Sequence, residues 1–219
     1  MTNQRALSLE EKLNQNGIKE RIKSTFITKE RTGPWVIELD PTTACNLACH
    51  DCISANLLNQ GGIDPKRLLK LADEFKDIGV KAVVLIGGGE PMAHKEFGNL
   101  VKAFAEKDIH IGVTTNGTLM KKYMDVCSEY LSWLRVSVDA GSPEVFNQFR
   151  PHASGKSQFD LVINNMKELG QRKKGIMGYS FLLLSKFDKS GKLENTNAVD
   201  IEKAGNIAKD IGCDYFEVK

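Results

Sequence analysis

The order of apolar and polar residues predicts an α/β protein in which strands and helices alternate along the chain. Short apolar runs, typical of strands covered on both faces, are followed by segments of helical periodicity. The predicted strands are Trp35–Asp40, Ala82–Ile86, His110–Thr115, Trp133–Asp139, Gly178–Leu184 and Tyr215–Val218. The predicted helices are Pro65–Ile78, Glu96–Lys107, Leu119–Leu131, Phe159–Gln171 and Val199–Ile211.

This alternation predicts parallel strands joined by right-handed crossovers. It fits an open doubly wound sheet, a barrel or a partial barrel. In each of these folds, ligands bind at the carboxyl ends of the strands. Asp64 and Ser142 precede Pro65 and Pro143, and we expect both to cap the helices that begin there.

The two ends of the sequence differ from this pattern. Before the first strand, the chain is polar and charged, and near-helical spacing of four apolar residues predicts one or two amphipathic helices: Leu9, Leu13, Ile18 and Ile22. At the other end, the sequence stops at Lys219, inside the sixth predicted strand. We therefore expect the sequence to be a piece of a longer protein.

The composition excludes several classes of protein. Of the 219 residues, 41% are hydrophobic and 26% are charged, as in ordinary globular proteins. Lys and Arg number 30 against 28 Asp and Glu, without a basic stripe, so we expect no nucleic-acid partner. No signal peptide and no apolar run near the roughly 20 residues of a membrane span are present in the sequence, so we expect a cytoplasmic protein without a membrane anchor.

Three of the five cysteines, Cys45, Cys49 and Cys52, follow the first predicted strand closely. The spacing C-x3-C-x2-C lets three thiolates converge on one metal centre. Such crowded cysteines are more typical of a metal site in a reducing compartment than of a disulfide framework. The centre is either an iron–sulfur cluster with one open iron or a zinc ion with His50 as a fourth ligand. Zinc is the less favoured alternative because no second C-x2-C pair follows.

Polar segments also follow the next three predicted strands. The second strand is followed by residues that let the backbone approach a ligand and that offer one carboxylate to a cationic group: Gly87, Gly88, Gly89, Glu90 and Pro91. Asn116 follows the third strand and can bind a ribose hydroxyl or a carboxylate. Ser137 and Asp139 alternate with valines on the fourth strand, so both side chains point to one face.

The remaining candidate residues lie apart from these segments. Arg150 and Lys156 follow the fourth strand, and either can bind a carboxylate. Cys127 and Cys213 have no partner at ligand spacing and are predicted to be structural thiols. The isolated histidines are predicted to have ordinary structural roles: His94, His110 and His152.

The segments CNLACHDC, GGGEP, TNG and SVD, at the ends of successive strands, resemble the radical S-adenosylmethionine (SAM) superfamily over roughly Trp35–Lys219. The resemblance implies a partial (β/α)6 TIM-like barrel of parallel strands at 34–219, preceded by a helical extension at 1–33. It also implies that the three clustered cysteines hold a [4Fe–4S] cluster, whose open iron is chelated by the amino and carboxylate groups of SAM. One departure is Asp51, where relatives usually carry an aromatic residue on the adenine side of SAM.

By the same resemblance, the GGGEP segment binds the amino group of SAM, and the S-x-D pattern of Ser137 and Asp139 lines the SAM site. Arg150 or Lys156 then binds the SAM carboxylate. Reductive cleavage of SAM gives methionine and a 5′-deoxyadenosyl radical, which takes a hydrogen atom from a substrate. The implied partners are a peptide, carbohydrate or other small-molecule substrate and a one-electron donor such as flavodoxin or ferredoxin. No protein side chain is predicted to be a catalytic acid or base.

Two other classes of protein remain open from the sequence. One is a non-catalytic iron–sulfur protein that carries electrons or acts as a sensor, and such a protein has no need of the SAM-side residues. The other is a binding module stabilised by zinc. Zinc without sulfide in the purified protein would indicate the binding module.

Overall fold

The structure is a computed structural model that describes residues 17–27, 29 and 33–219. The described residues group into two units, which divide between Pro34 and Trp35. The first unit contains helix α1 (Ile18–Ile27). The other two residues of the apolar pattern that predicted an amphipathic extension, Leu9 and Leu13, lie outside the described residues.

The second unit contains eight strands: β1 (Val36–Leu39), β2 (Ala82–Leu85), β3 (His110–Thr115), β4 (Trp133–Ser137), β5 (Ile176–Phe181), β6 (Ser185–Phe187), β7 (Leu193–Thr196) and β8 (Tyr215–Val218). Six of them form one parallel sheet in the order β1-β2-β3-β4-β5-β8. The six predicted parallel strands are therefore confirmed. Within the described residues the edge strands β1 and β8 do not pair with each other, so the sheet is a partial barrel.

The helices of this unit connect the strands: α2 (Pro65–Asp77), α3 (Phe97–Ala105), α4 (Met124–Tyr130), α5 (Pro143–Phe149), α6 (Phe159–Arg172) and α7 (Ile201–Asp210). The predicted helix over Leu119–Leu131 is divided into a 3-10 turn, Met120–Tyr123, and α4. Among the described residues, no helix combines the length and apolarity needed to cross a membrane.

The sheet separates an apolar face from a polar one. On β4, Leu134 and Val136 belong to the buried apolar core, whereas Arg135 and Ser137 alternate with them and point to the opposite face. The helices cover the apolar face, where large buried side chains such as Phe104 pack. The other, inner face is thus left to polar residues.

The two predicted helix caps have different outcomes. Asp64 Oδ1 accepts hydrogen bonds from the backbone amides of Lys66 and Arg67, so this cap is confirmed. Ser142 lies at the N-cap position of α5, as predicted, but its side chain makes no capping hydrogen bond. Its hydroxyl instead donates to the buried carboxylate of Asp200 at 2.6 Å. A buried carboxylate competes successfully for the hydroxyl because an ionised acceptor forms the stronger bond.

One element was missed by the sequence analysis, an antiparallel hairpin formed by β6 and β7. Its strands are short and mostly exposed, so they carry no apolar period. The available signal was its turn, in which Asp188 accepts hydrogen bonds from the amides of Ser190 and Lys192. An Asp that bonds to the backbone two residues later is a common turn former.

The hairpin leads to Asn197, a fully buried side chain that holds three parts of the chain together. Asn197 Nδ2 donates to the carbonyl oxygens of Asp139 at 2.9 Å and Leu182 at 2.8 Å. Its Oδ1 accepts from the amide of Leu184 at 2.8 Å. Asn197 thereby fixes the segment after β4 against the segment after β5.

Asn197→Ala should lower the free energy of unfolding by about 2–4 kcal/mol, because it leaves buried backbone groups without partners. Urea denaturation followed by circular dichroism measures the change. Asn195→Ala, in the neighbouring strand β7, is the control and should change stability by less than about 0.5 kcal/mol. Equal effects of the two substitutions would contradict this role of Asn197.

Candidate active site

An open cleft with a cavity volume of about 160 Å³ lies at the carboxyl ends of the first four strands. Most of the residues that the sequence singled out line it: Cys45, Cys49, Cys52, Gly87, Gly88, Gly89, Glu90, Asn116, Ser137 and Arg150. Apolar side chains, including Leu47, Ile53, Leu58 and Ile86, complete the wall.

The loop that carries the cysteines follows β1 and is fixed by backbone hydrogen bonds on both sides. The amide of Cys45 donates to Asn59 Oδ1 at 3.1 Å. The amide of Ala48 donates to the carbonyl oxygen of Pro151 at 2.8 Å. The three cysteines of the loop are free thiols and are partly buried. They are therefore held on one wall of the cleft without a disulfide.

Polar groups near two of the sulfur atoms offset part of the rise in thiol pKa that burial causes. Burial raises the pKa of the Cys49 thiol, and the positive charge of Arg150, whose Nη1 lies 3.8 Å from Cys49 Sγ, opposes that rise. Burial likewise raises the pKa of Cys45, whose Sγ lies 3.9 Å from Asn116 Nδ2. Because the thiolate is the metal-binding form, these donors support ligation.

Glu90 is buried beneath the cleft and joins two of its loops. Its Oε1 accepts from Thr115 Oγ1 at 2.7 Å and from the amide of Met92 at 3.1 Å. Its Oε2 accepts from the amide of Asn116 at 2.7 Å. Burial raises the pKa of Glu90, while these three donors lower it. The carboxylate thus positions the loop after β3 besides facing the cleft.

The loop after β2 approaches the cysteine loop so closely that glycine is required at one position. A Cβ atom at Gly89 would lie 2.4 Å from the carbonyl oxygen of Ala44 and 2.5 Å from that of Thr43. A Cβ atom at Gly88 would meet Thr43 Cγ2 at an ordinary 3.6 Å. Packing therefore requires glycine at position 89, whereas a methyl group at position 88 would make only ordinary contacts.

Asn116 is tied to the cysteine loop by its side chain. Its Nδ2 donates to Asn46 Oδ1 at 3.0 Å, and its Oδ1 accepts from Thr118 Oγ1 at 2.7 Å. Thr118 Oγ1 also accepts from Asn46 Nδ2 at 2.8 Å. Neither Asn46 nor Thr118 was among the site residues predicted from the sequence. Their positions in the sequence were the available signal, because Asn46 follows Cys45 and Thr118 lies two residues after Asn116.

Asp139 lies behind Arg150 rather than on the wall of the cleft. Its Oδ2 accepts from Arg150 Nε at 2.7 Å, and Arg150 Nη2 donates to the same oxygen. Its Oδ1 accepts from the amide of Leu182 at 2.7 Å. The backbone of Asp139 has a φ of 57°, a left-handed conformation that few residues other than glycine adopt. This pairing directs Arg150 toward the cysteines.

Besides Asp139, two of the predicted site residues do not line the cleft. Lys156 is exposed, on a loop that turns outward where His152 Nδ1 accepts from the amide of Ser154 at 3.1 Å. Pro91 is buried behind the cleft, at the start of the 3-10 helix Pro91–Ala93. Of the two basic candidates for carboxylate binding, the structure brings Arg150 to the cleft.

The donor set fits an iron–sulfur cluster better than a zinc ion. His50, the suggested fourth zinc ligand, is exposed and does not line the cleft. Iron–sulfur clusters are held by cysteine thiolates. Three cysteine thiols on one wall of the cleft match that requirement.

The remaining cysteines and one of the histidines lie away from the cleft. Burial raises the pKa of both the Cys127 and the Cys213 thiols to about 12. His94 Nδ1 accepts from the amide of Glu96 at 3.2 Å, and its Nε2 lies 3.1 Å from the carbonyl oxygen of Ile63. These contacts agree with the structural roles predicted from the sequence.

Comparison with known proteins places this site in a family. The model of the radical SAM superfamily matches residues 39–188, which include the three clustered cysteines and the segments that follow β2, β3 and β4. The chain belongs to the radical SAM superfamily. Proteins of this superfamily are enzymes that use a [4Fe–4S] cluster and SAM.

Curated relatives match only part of their own length. The chain is 31% identical over 129 residues to a probable GTP 3′,8-cyclase of Archaeoglobus fulgidus, covering 58% of the chain and 42% of the relative. It is 29% identical over 144 residues to the mycofactocin maturase MftC of Mycolicibacterium smegmatis, covering 62% of the chain and 34% of the relative. The chain thus spans less than half the length of these relatives.

Solved structures show the same fold. Streptococcus suis SuiB bound to its precursor peptide SuiA has a TM-score of 0.69 at 19% identity, with coverage of 98% of this chain and 48% of SuiB. Native anSMEcpe with bound AdoMet has a TM-score of 0.65 at 19% identity, with coverage of 84% of this chain and 52% of the other. These likenesses confirm the TIM-like partial barrel that the sequence resemblance implied.

Gly89→Ala should lower the free energy of unfolding by about 1–3 kcal/mol or more, because its methyl group overlaps two carbonyl oxygens of the cysteine loop. Gly88→Ala is the matched control, since its methyl group makes only an ordinary contact. Thermal unfolding of both variants measures the difference. A Gly89→Ala protein as stable as Gly88→Ala would contradict the close approach of the two loops.

Each of the single substitutions Cys45→Ala, Cys49→Ala and Cys52→Ala should prevent cluster assembly, because each removes one of the three thiols that line the cleft. Iron and sulfide per chain, measured after anaerobic reconstitution, test this expectation. Cys127→Ala and Cys213→Ala are the controls and should leave the iron content unchanged. Equal loss of iron in all five variants would disprove the assignment of ligands.

Proposed function

We propose that this chain carries the cofactor-binding core of a radical SAM enzyme. One observation carries the proposal: three free thiols and the SAM-side residues Glu90, Asn116 and Arg150 line the same cleft. An electron carrier would use the thiols alone. We assign residues 34–219 to the core domain and residues 1–33 to an N-terminal extension.

The thiols of Cys45, Cys49 and Cys52 would hold a [4Fe–4S] cluster with one iron left for SAM. When bound, the cluster and SAM would supply reductive cleavage of the sulfonium, with one electron from an external donor, and through it the removal of a hydrogen atom from a substrate. Such chemistry belongs to the cofactors, and the protein binds and orients them. Within the described chain, we assign no side chain as a proton donor or acceptor.

Different SAM-side residues bind the amino group and the carboxylate group of the methionyl moiety. The backbone of Gly87 and Gly88 and the carboxylate of Glu90 receive the amino group, since these residues line the cleft and offer acceptors. Arg150 receives the carboxylate group, because Asp139 holds its Nε and leaves Nη1 toward Cys49. Ser137 and Asn116 supply further hydrogen bonds on the same wall.

The apolar part of the wall has a separate role. Leu47, Ile53, Leu58 and Ile86 line the cleft beside the cysteines. Apolar walls exclude water, which strengthens every electrostatic contact inside a site and limits side reactions of a reactive intermediate. Ile53 is fully exposed in the chain alone, so a bound substrate or partner can cover it.

The substrate that we propose is a peptide or another small molecule. Support comes from relatives of both kinds, since SuiB is bound to the precursor peptide SuiA and another relative is a probable GTP 3′,8-cyclase. A flavodoxin or ferredoxin is the proposed one-electron donor. The proposed compartment is the cytoplasm, where free thiols persist.

The proposal is tested by reconstituting the protein anaerobically, adding dithionite and SAM, and quantifying 5′-deoxyadenosine. Wild type and Cys127→Ala should both form the product, whereas Cys49→Ala should form none above the background. This pair of variants separates loss of a cleft thiol from loss of a buried one. A fully loaded wild-type cluster that releases no 5′-deoxyadenosine would contradict the proposal.

A further inference from the structure

The inner face of the sheet carries a basic side chain for which the proposed cofactors have no use. Arg135 on β4 points away from the helices, on the same face as Ser137, which lines the cleft. The parallel register places Arg135 beside Thr114 on β3, and Thr114 also lines the cleft. Arg135 is therefore a neighbour of two residues that line the cleft, on the inner face of the sheet.

The guanidinium of Arg135 is held in place but is not satisfied. Its Cζ lies 5.5 Å from the centre of the Trp133 ring, a stacking contact that orients the group. The carboxylate of Glu217 lies 3.8 Å from Nη1, beyond hydrogen-bond distance, and is closer to Lys219 Nζ at 3.0 Å. The Nε atom of Arg135 is buried and has no hydrogen-bond partner among the described residues.

A second unpartnered atom lies on the neighbouring strand. Thr114 Oγ1 is buried and likewise has no hydrogen-bond partner in the described part of the chain. Buried polar atoms without partners are uncommon, because desolvation without a hydrogen bond is costly. Two such atoms on residues that are register neighbours indicate a ligand with acceptor atoms.

The Tyr215 ring closes one approach to Arg135. Gly178 is the register neighbour of Arg135 on β5, and a Cβ atom there would lie 1.9 Å from Tyr215 Cζ. The Tyr215 ring therefore fills the space over Gly178. The register neighbour on the other side is Thr114, which lines the cleft, so we expect a ligand to reach the guanidinium from that side.

We propose that Arg135 and Thr114 bind a carboxylate of the substrate and so select the substrates that enter the cleft. This inference rests on the proposed function, because it places the substrate beside the SAM site. The planar fork of arginine matches a carboxylate through two N–H donors, and the threonine hydroxyl adds a third. A carboxylate is favoured over a phosphate dianion because Glu217 adds negative charge nearby.

The test uses reconstituted, SAM-loaded protein and saturation-transfer NMR with succinate as the probe. Wild type should give a succinate signal, and Arg135→Gln should bind succinate about tenfold more weakly. Arg135→Lys keeps the charge without the fork and should fall between them, while Thr114→Val should weaken binding about threefold. Arg172→Gln, on the exposed surface of α6, is the matched control and should bind as wild type does.

Three outcomes would overturn the inference: no succinate signal in wild type, equal signals in wild type and all three site variants, or a stronger signal from methyl phosphate than from succinate. If Arg135→Gln fails to fold, Arg135→Lys and Thr114→Val decide the outcome. The same experiments distinguish a failure of this inference from a failure of the proposed function. Wild type that forms 5′-deoxyadenosine without binding succinate contradicts only the carboxylate site, whereas succinate binding without SAM cleavage contradicts the enzyme.

Discussion

Glu90 joins the ends of three neighbouring strands through its buried carboxylate and its backbone amide, and the geometry of the cleft depends on it. Its side chain accepts hydrogen bonds from Thr115 and from the amide of Asn116, after β3. Its own amide, after β2, donates to the carbonyl oxygen of Ala44 in the cysteine loop at 2.8 Å. Because an unpaired buried carboxylate is very costly, the loops stay together as long as Glu90 stays ionised and satisfied. The close approach at Gly89 adds a steric condition to this electrostatic one.

The part of the site around Cys49 depends on a series of polar contacts that leads from Arg150 away from the cleft. Arg150 faces Cys49, Asp139 holds Arg150, and Asn197 holds the backbone of Asp139. Each group satisfies the next, so a buried cation is tolerated beside the thiols without an unpaired charge. The hairpin of β6 and β7 matters to the site because it brings Asn197 to this position.

The sequence predicted the parts of the fold that local pattern determines. Apolar runs placed β3 and β8 at the bounds that the structure has, and the cysteine spacing together with GGGEP located the cleft. It did not predict the β6–β7 hairpin or the role of Ser142, because both depend on contacts with residues distant in the sequence. The exposure of Lys156 depends on its loop conformation, which spacing does not report. Arg135 was missed because a charge inside a strand becomes notable only when its neighbours are known.

The central claim is that Cys45, Cys49 and Cys52 hold one cluster with an iron open to SAM. Electron paramagnetic resonance of the reduced, reconstituted protein, recorded before and after addition of SAM, tests it most directly. The account predicts a [4Fe–4S] signal whose g-values change when SAM binds the open iron, and the same titration of Cys49→Ala should show neither signal nor change. A cluster signal that SAM leaves unaltered in wild type would contradict the account.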